Sequence, residues 1–165
     1  MTGIAMLFGG FASAYIVLRG VPSWESIHLP NLVWGNILML VAGSVTFEWA
    51  RRAVKRDSMS AVRQWLGVTA ILGLAFVAGQ VEVWRQMSAA GLFLASSIHS
   101  SFFYVLSGIH AIHILGGLIG LGFVIFKAWT DRLSSLSYEP LRLVATYWHF
   151  MAGIWLLLLL LLVLA

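Results

Sequence analysis

The chain has 165 residues, of which 61% are hydrophobic and 10% are charged, whereas a soluble domain is about 45–50% apolar and about 25% charged. The composition therefore predicts an integral membrane protein. The lack of cysteine excludes disulfides, thiolate metal sites, covalent heme attachment and iron–sulfur clusters. The net charge of +4 does not indicate a nucleic-acid partner, because the basic residues fall between apolar runs, a pattern typical of membrane topology.

Five apolar segments come close to the length of about 20 residues that a bilayer-spanning helix needs. In chain order they cover approximately residues 2–18, 32–50, 65–84, 102–129 and 143–165. No soluble domain, long linker or repeat separates them. The sequence therefore predicts an all-α bundle of five transmembrane helices that forms a single domain over residues 1–165. The leucine run that ends the last segment is expected to face lipid.

The charged residues between the segments predict the orientation, because cations concentrate in loops that face the cytoplasm. Five cations lie between the second and third segments and three between the fourth and fifth, whereas the other two connections hold one each. We therefore expect the N-terminus inside and the C-terminus outside. The cations of the two basic connections are Arg51, Arg52, Lys55, Arg56, Arg63, Lys127, Arg132 and Arg142, and the other two are Arg19 and Arg85.

Interfacial tryptophans are expected at both membrane surfaces, where the amphipathic indole ring is stable. Trp24 and Trp84 fall near the outer surface in this topology. Trp49, Trp65 and Trp129 fall near the inner one.

Two histidines lie three residues apart in "GIHAIHILGG", residues 108–117, and so share one helix face. A heme there would need a second axial ligand or an open side, and a metal would need three or four ligands. His149 is the only other histidine within a segment, since His28 and His99 fall in the outer loops. The sequence therefore favours hydrogen bonds from His110 and His113 across helices, to a backbone carbonyl, to a lipid headgroup or to a neighbouring subunit.

The acids within the segments lie at opposite membrane edges, and each has a nearby cation. Glu48 precedes Arg52 by four residues, and Glu82 precedes Arg85 by three, so both are predicted to form local ion pairs. A proton route would need a chain of ionisable groups through the membrane, which two edge acids do not provide.

Small residues predict close helix contacts, both within the chain and with partners. Gly116 and Gly120 form a small-xxx-small pair in the fourth segment. The first segment carries a similar face at Gly9, Gly10, Ser13 and Ala14.

Two motifs together resemble subunit III of the heme–copper cytochrome c oxidases. They are "SFFYVLSGIHAIHILGG", residues 101–117, and "YWHFMAGIW", residues 147–155. Weaker similarities follow the family's order in "MLFGGFASAYIVLRG", "LPNLVWGNILMLVAGSVTFEWARRAV" and "LGLAFVAGQVEVWRQM". The resemblance covers the whole chain.

The resemblance implies a non-catalytic subunit without heme or metal of its own, in a complex that reduces O₂ to water and pumps protons. Heme and copper are then expected in subunits I and II, with a small subunit IV and bound phospholipid as further partners and cytochrome c reached only through the complex. The bacterial cytoplasmic membrane is the expected location. The residues implied to make structural, lipid or subunit contacts are His110, His113, His149, Trp148, Glu82, Arg85, Gly116 and Gly120.

Two departures from the family pattern limit what is carried over. The long form of the family has seven helices, and this chain resembles the last five, so a neighbouring subunit is expected to carry the other pair. The family often has a carboxylate near the position of Ile4, so a proton-handling role for that acid is not implied here.

Other functions remain open at this point. An accessory subunit of a quinol oxidase or of a nitric oxide reductase would show the same features, since the distinction lies in the partner subunits. A small channel or transporter would need a polar stripe through the membrane, which the sequence does not show. A free-standing heme protein with two histidine ligands is the third alternative.

Overall fold

The computed structural model describes residues 1–20 and 29–163. These residues form five α-helices and no β-strand, which confirms the all-α class. The helices are α1 (Thr2–Leu18), α2 (Leu32–Lys55), α3 (Met59–Ala89), α4 (Ile98–Trp129) and α5 (Glu139–Val163). Two residues that the sequence analysis placed on the outer side, Trp24 and His28, lie outside the described residues. The last two residues of the fifth segment also lie outside them.

Four of the helices, α2 to α5, are long and apolar enough to cross a membrane. They contain 24, 31, 32 and 25 residues, against 17 for α1. At 1.5 Å per residue, α1 is about 25 Å long, which is shorter than the hydrocarbon core of about 30 Å. The integral-membrane character is therefore clear from α2 to α5, and a fifth transmembrane helix is still a prediction.

At one or both ends, α2 to α5 extend beyond the apolar segments that predicted them, whereas α1 has the predicted bounds. α3 begins at Met59 and ends at Ala89, several residues outside the predicted 65–84. α4 begins at Ile98 because Ser97 caps it: the Ser97 hydroxyl oxygen accepts from the backbone N–H of Ser100 at 3.1 Å, and the Ser100 hydroxyl oxygen accepts from the Ser97 N–H at 3.2 Å. Apolar length alone does not contain these signals.

Antiparallel packing builds the bundle. α2 and α3 share the most extensive contact, α4 packs on α3 and α5, and α5 also packs on α2. α1 lies at the edge, against α4 and α5.

The two basic connections lie at one end of the bundle and are tied to each other. The Arg63 guanidinium donates to the carbonyl oxygen of Ala128 at 2.9 Å and pairs with Asp131 at 2.5 Å. The Asp57 carboxylate accepts from the backbone N–H and the hydroxyl of Ser135 at 3.1 and 3.0 Å. These bonds link the turn between α2 and α3 to the connection between α4 and α5.

The sequence predicted that the leucine-rich end of α5 faces lipid, but only some of its leucines point out of the bundle. Leu158, Leu159 and Leu162 are buried, whereas Leu157 and Leu160 are exposed. A run of one residue type has no periodicity, so the sequence could not show which leucines point into the bundle.

Candidate functional site

His110 lies in the interior of the bundle among aromatic rings. It is 1% exposed, and its imidazole stacks on Trp155 with ring centroids 4.6 Å apart and an angle of 19° between the planes. Phe8 and Phe76 complete the enclosure at 6.2 and 6.5 Å. Neither ring nitrogen has a hydrogen-bond partner among the residues that the structure describes. His110 therefore holds α1, α3 and α5 against α4 by ring packing.

His113 satisfies its ring within its own helix. Its Nδ1–H donates to the carbonyl oxygen of Ile109 at 2.8 Å, and the ring is 5.7 Å from that of Phe8. The Tyr147 hydroxyl of α5 donates to the backbone carbonyl oxygen of His113 at 3.0 Å. The histidine pair thus shares a face, as predicted, but the two rings have different surroundings.

Trp148 fills a space that three glycines leave for it. It is 2% exposed, and a Cβ at Gly73 would lie 2.7 Å from its Cη2 atom. A Cβ at Gly43 or at Gly117 would lie within 3.6 or 3.8 Å of the same indole. These glycines, which we call the Trp148 socket, come from α2, α3 and α4. Sequence reasoning missed Gly43 and Gly73, although an isolated glycine in an apolar span signals such an approach.

The small-xxx-small pair of α4 faces α5. A Cβ at Gly120 would lie 3.2 Å from Cγ2 of Val144, and one at Gly116 would lie 3.9 Å from the Tyr147 hydroxyl. At Gly120, and less closely at Gly116, the predicted helix contact is therefore made within this chain.

His99 does not lie in an outer loop, as the sequence suggested. It is in the first turn of α4 and 1% exposed, and its Nε2 lies 3.1 Å from the Tyr15 hydroxyl of α1. The rings of the two residues are 5.6 Å apart. The Ser97 cap starts the helix early enough to bury His99, and this side chain anchors α1 to α4.

The predicted ion pairs at the membrane edges are present. Glu48 lies 3.3 Å from Nε of Arg52 and also 2.8 Å from Nε of Arg51, which the sequence had not paired with it. Glu82 lies 3.2 Å from Nε of Arg85. In each pair both residues belong to the same helix, α2 for Glu48 and α3 for Glu82. These pairs therefore fix side chains locally and form no path through the membrane.

His149 lies apart from the other two intramembrane histidines. It is half-buried, and its ring is 6.5 Å from that of Phe47 on α2. Among the described residues, no three His, Cys, Asp or Glu side chains are close enough to share a metal ion. The donor set around His110, His113 and His149 therefore does not fit a metal centre.

Polar contacts between α2 and α3 were missed by the sequence analysis. The hydroxyls of Thr46 and Thr69 are 2.8 Å apart in the buried contact between the helices. Asn36 is 1% exposed and packs against Gly79, where a Cβ would meet its side-chain oxygen at 2.1 Å, but its amide has no hydrogen-bond partner among the described residues. Such contacts join buried positions far apart in sequence, and no local pattern indicates them.

An apolar groove runs along part of the contact between α1 and α5. It has a volume of about 500 Å³. Gly9, one of the glycines of α1 predicted to contact a partner, lines it. Apart from neighbouring backbone of α1 itself, nothing lies within 4 Å of the place where a Cβ of Gly9 or Gly10 would be. The groove is lined by Ala5, Phe8, Gly9, Ala12, Phe150, Ile154, Leu157, Leu158, Leu160 and Leu161.

Comparisons with known proteins agree with the motifs. The sequence model of the family described as cytochrome c oxidase subunit III matches residues 17–164. Cytochrome c oxidase subunit 3 of Corynebacterium diphtheriae is 28% identical over 157 residues, which cover 91% of this chain and 77% of that protein. The subunit 3 of Thermostichus vulcanus is 29% identical over 162 residues, with 93% and 78% covered. A probable subunit 3 of Mycobacterium bovis is 31% identical over 118 residues, with 72% and 58% covered. The chain belongs to the cytochrome c oxidase subunit III family.

Proposed function

We propose that this chain is the non-catalytic subunit III of a respiratory heme–copper cytochrome c oxidase, which reduces O₂ to water and couples the reaction to proton pumping. One observation carries the structural role. The two motifs that resemble the family bind each other: His110 stacks on Trp155, Gly117 accommodates Trp148, and the His113 carbonyl accepts from Tyr147. Residues so engaged in helix packing are not available to bind a substrate.

The redox groups of the complex then belong to the partner subunits. We place heme and copper in subunits I and II, with a small subunit IV as a further partner. Cytochrome c interacts with the assembled complex and does not bind this chain directly. The donor set of the described residues, which does not suit a metal, supports this division.

The membrane orientation follows from the charge distribution. Eight of the ten cations lie in the α2–α3 and α4–α5 connections or on the helix ends beside them. The Arg63–Asp131 pair joins the two regions at one end of the bundle. We place this end in the cytoplasm of a bacterial cell, with all five helices of one domain across its cytoplasmic membrane. The N-terminus is then inside and the C-terminus outside.

The groove between α1 and α5 is the proposed contact with partners and lipid. Its walls are apolar, and Gly9 and Gly10 leave the backbone of α1 open to close approach. Subunit I or a small extra subunit supplies helices near α1, and phospholipid fills the remaining space. The chain stabilises subunit I through these contacts.

Purification of the chain from its own membrane tests the proposal. An affinity tag on the chain should recover subunits I and II, identified by mass spectrometry, together with the heme absorption of an oxidase. After the subunits are separated, iron and copper should remain with the partners. Recovery of the chain by itself, or of metal in stoichiometric amounts in the separated chain, would contradict the proposal.

A further inference from the structure

A pocket between α3 and α4 lies at depth in the bundle, away from the helix ends. It has a volume of about 290 Å³, near the lower end of the range of about 300–1,000 Å³ for small-molecule sites. At 1.5 Å per residue, Gln80 lies about 14 Å from the end of α3, and His110 lies about 18 Å from the start of α4. We call it the α3–α4 pocket, and its walls include Phe76, Gln80 and Trp84 of α3 and Ser107, Gly108 and His110 of α4.

The polar side chains of the α3–α4 pocket are only partly satisfied. The Trp84 indole N–H donates to the Ser107 hydroxyl oxygen at 3.0 Å, and that hydroxyl donates to the carbonyl oxygen of Phe103 at 2.6 Å. Gln80 and His110 are 5% and 1% exposed. The amide nitrogen of Gln80 and both ring nitrogens of His110 have no hydrogen-bond partner among the described residues. The pocket therefore offers an amide donor on one wall and an imidazole on the other.

The stacking of His110 on Trp155 leaves the edge of the imidazole ring available. The two rings meet by their faces, with an angle of 19° between the planes. An imidazole makes hydrogen bonds through the nitrogens at its edge, and at least one of them carries a hydrogen. His110 can therefore pack between helices by its face and donate a hydrogen bond at the same time.

The remaining walls of the α3–α4 pocket are apolar, and its mouth opens to the bilayer at the exposed residues Val81, Ile112 and Leu115. Its volume would hold several water molecules, but each buried water needs two to four polar partners, which aliphatic walls do not supply. None of its described lining residues is charged, and its depth falls within the hydrocarbon core, below the lipid headgroups. A neutral, lipid-soluble molecule with a polar edge fits such a pocket best.

We propose that the α3–α4 pocket binds the ring of a lipid-soluble quinone. A quinone carbonyl oxygen has two lone pairs, so it accepts from the Gln80 amide and from the His110 imidazole together. Phe76 and Trp84 offer aromatic surface to the flat ring, and an isoprenoid chain leaves through the mouth into the lipid. The choice of a quinone among carbonyl compounds rests on the proposed place of this chain in a respiratory membrane. The proposal concerns binding, and it assigns no reaction to the subunit.

Photoaffinity labelling of the intact oxidase complex, after endogenous quinone has been extracted, tests the pocket. The probe is an azido derivative of menadione, a naphthoquinone, and the labelled peptides are identified by mass spectrometry. Unmodified menadione is the competitor. Methylnaphthalene, which has the same ring system without the carbonyl oxygens, is the matched control ligand.

Two variants separate the hydrogen bond from the space. Gln80→Leu removes the amide donor at similar side-chain size. Gly108→Leu fills the pocket, since nothing but the backbone of α4 lies within 4 Å of a Cβ there. Gln86→Leu and Gly122→Leu make the same changes on α3 and α4 at positions that do not line the pocket, and they are the controls.

We expect label in the peptides that contain residues 76–84 or 107–115. The loss of one hydrogen bond should weaken menadione binding about fivefold in Gln80→Leu. Gly108→Leu should abolish the labelling, because the added side chain takes the place of the ring. Both control variants should bind as the wild type does, and methylnaphthalene should not compete.

Equal menadione binding by wild type and Gln80→Leu would overturn the proposal. Competition by methylnaphthalene as strong as that by menadione would do the same, because the carbonyl oxygen would then make no difference. Label confined to other segments, or labelling that does not saturate, would equally overturn it. Subunit occupancy and heme content, measured in every preparation, test the subunit III function separately. If a variant does not assemble, the comparison of the two ligands on the wild-type complex decides the question.

Discussion

Ring packing, and not hydrogen bonding, determines what His110 does. Its imidazole is enclosed by Trp155, Phe8 and Phe76, and its nitrogens find no partner in the described part of the chain. Helices in a bilayer associate chiefly through van der Waals contact, so a planar ring stacked on another ring suits this position. The hydrogen bond that the sequence suggested is made by His113 instead, within its own helix.

His110→Ala should therefore destabilise the subunit more than His113→Ala does. The first change removes a stacked ring and leaves a cavity, at a cost of about 2 kcal/mol. The second removes one hydrogen bond, which averages about 0.6 kcal/mol in membrane proteins, and one ring contact with Phe8 from a half-buried side chain. Retention of the subunit after detergent washing of the complex measures the difference, and O₂ reduction per heme should stay normal wherever the subunit is retained. A variant with full occupancy and no O₂ reduction would contradict the structural role.

The Trp148 socket gives a second prediction for single residues. Gly73→Ala would place a methyl group 2.7 Å from the Trp148 ring. Such overpacking costs about 1–3 kcal/mol. Thermal denaturation of the complex, followed by loss of this subunit, should show the change. Gly122→Ala is the control, because nothing lies within 4 Å of that position.

A compensating change makes the socket prediction specific. Trp148→Phe shortens the ring that meets Gly73, so Gly73→Ala should cost less stability in the Trp148→Phe background than in the wild type. If Gly73→Ala and Gly122→Ala have the same effect, the socket does not limit packing.

At the scale of elements, the sequence predicted which helices exist but not where their ends lie. Apolar length identified the segments from α2 to α5 because a bilayer imposes it. The Ser97 cap and residues 59–64 of α3, which include Arg63 and Gln64, lie outside the predicted apolar segments, so α3 and α4 are longer than predicted. Because α4 begins earlier than predicted, His99 lies in a helix in the interior of the bundle and not in a loop.

The sequence also predicted part of the candidate site. The Glu82–Arg85 and Glu48–Arg52 pairs follow from spacing along one helix, and they are present. The contact of His99 with Tyr15 depends on two segments 84 residues apart in sequence. Spacing along the chain cannot indicate such a contact.

Tyr15→Phe should loosen the attachment of α1 without unfolding the bundle. The change removes the hydroxyl that lies 3.1 Å from His99 Nε2 but keeps the ring contacts of Tyr15. A loss of about 1 kcal/mol is expected. Faster hydrogen exchange confined to α1 would measure it, with Tyr138→Phe, at the other end of the bundle, as control. Uniformly faster exchange in all helices would show that Tyr15 does not act on α1 alone.

The whole molecule has a charge asymmetry that predicts its orientation. Most cations lie at the end of the bundle that contains the α2–α3 and α4–α5 connections. The chain has no cysteine, so single cysteines report location without background. Leu136 and Leu94 are 97% and 56% exposed and lie at opposite ends.

A maleimide that cannot cross membranes should label Leu94→Cys in intact cells and Leu136→Cys only after the membrane is opened. The proposed orientation places the connection between α4 and α5 in the cytoplasm, where the reagent does not reach. Both variants should react in detergent, which controls for exposure of the thiol. Labelling of Leu136→Cys in intact cells, with Leu94→Cys protected, would contradict the proposed orientation and indicate the opposite one.

The edge position of α1 carries the last prediction. α1 contacts α4 and α5 but leaves Gly9 and Gly10 without a neighbour from another helix within 4 Å of a Cβ, and Gly9 lines a groove of about 500 Å³. Small residues of this kind permit close helix contact, and the glycines of α4 already make theirs with α5. We therefore expect another subunit to approach α1 on this face in the assembled oxidase. Gly9→Cys with a short photoreactive crosslinker should join the chain to a partner subunit in native membranes, identified by mass spectrometry. Ile119→Cys, on a part of α4 that is 75% exposed, should form far less of this product. If both positions crosslink to lipid alone, the α1 face is filled by lipid and not by protein.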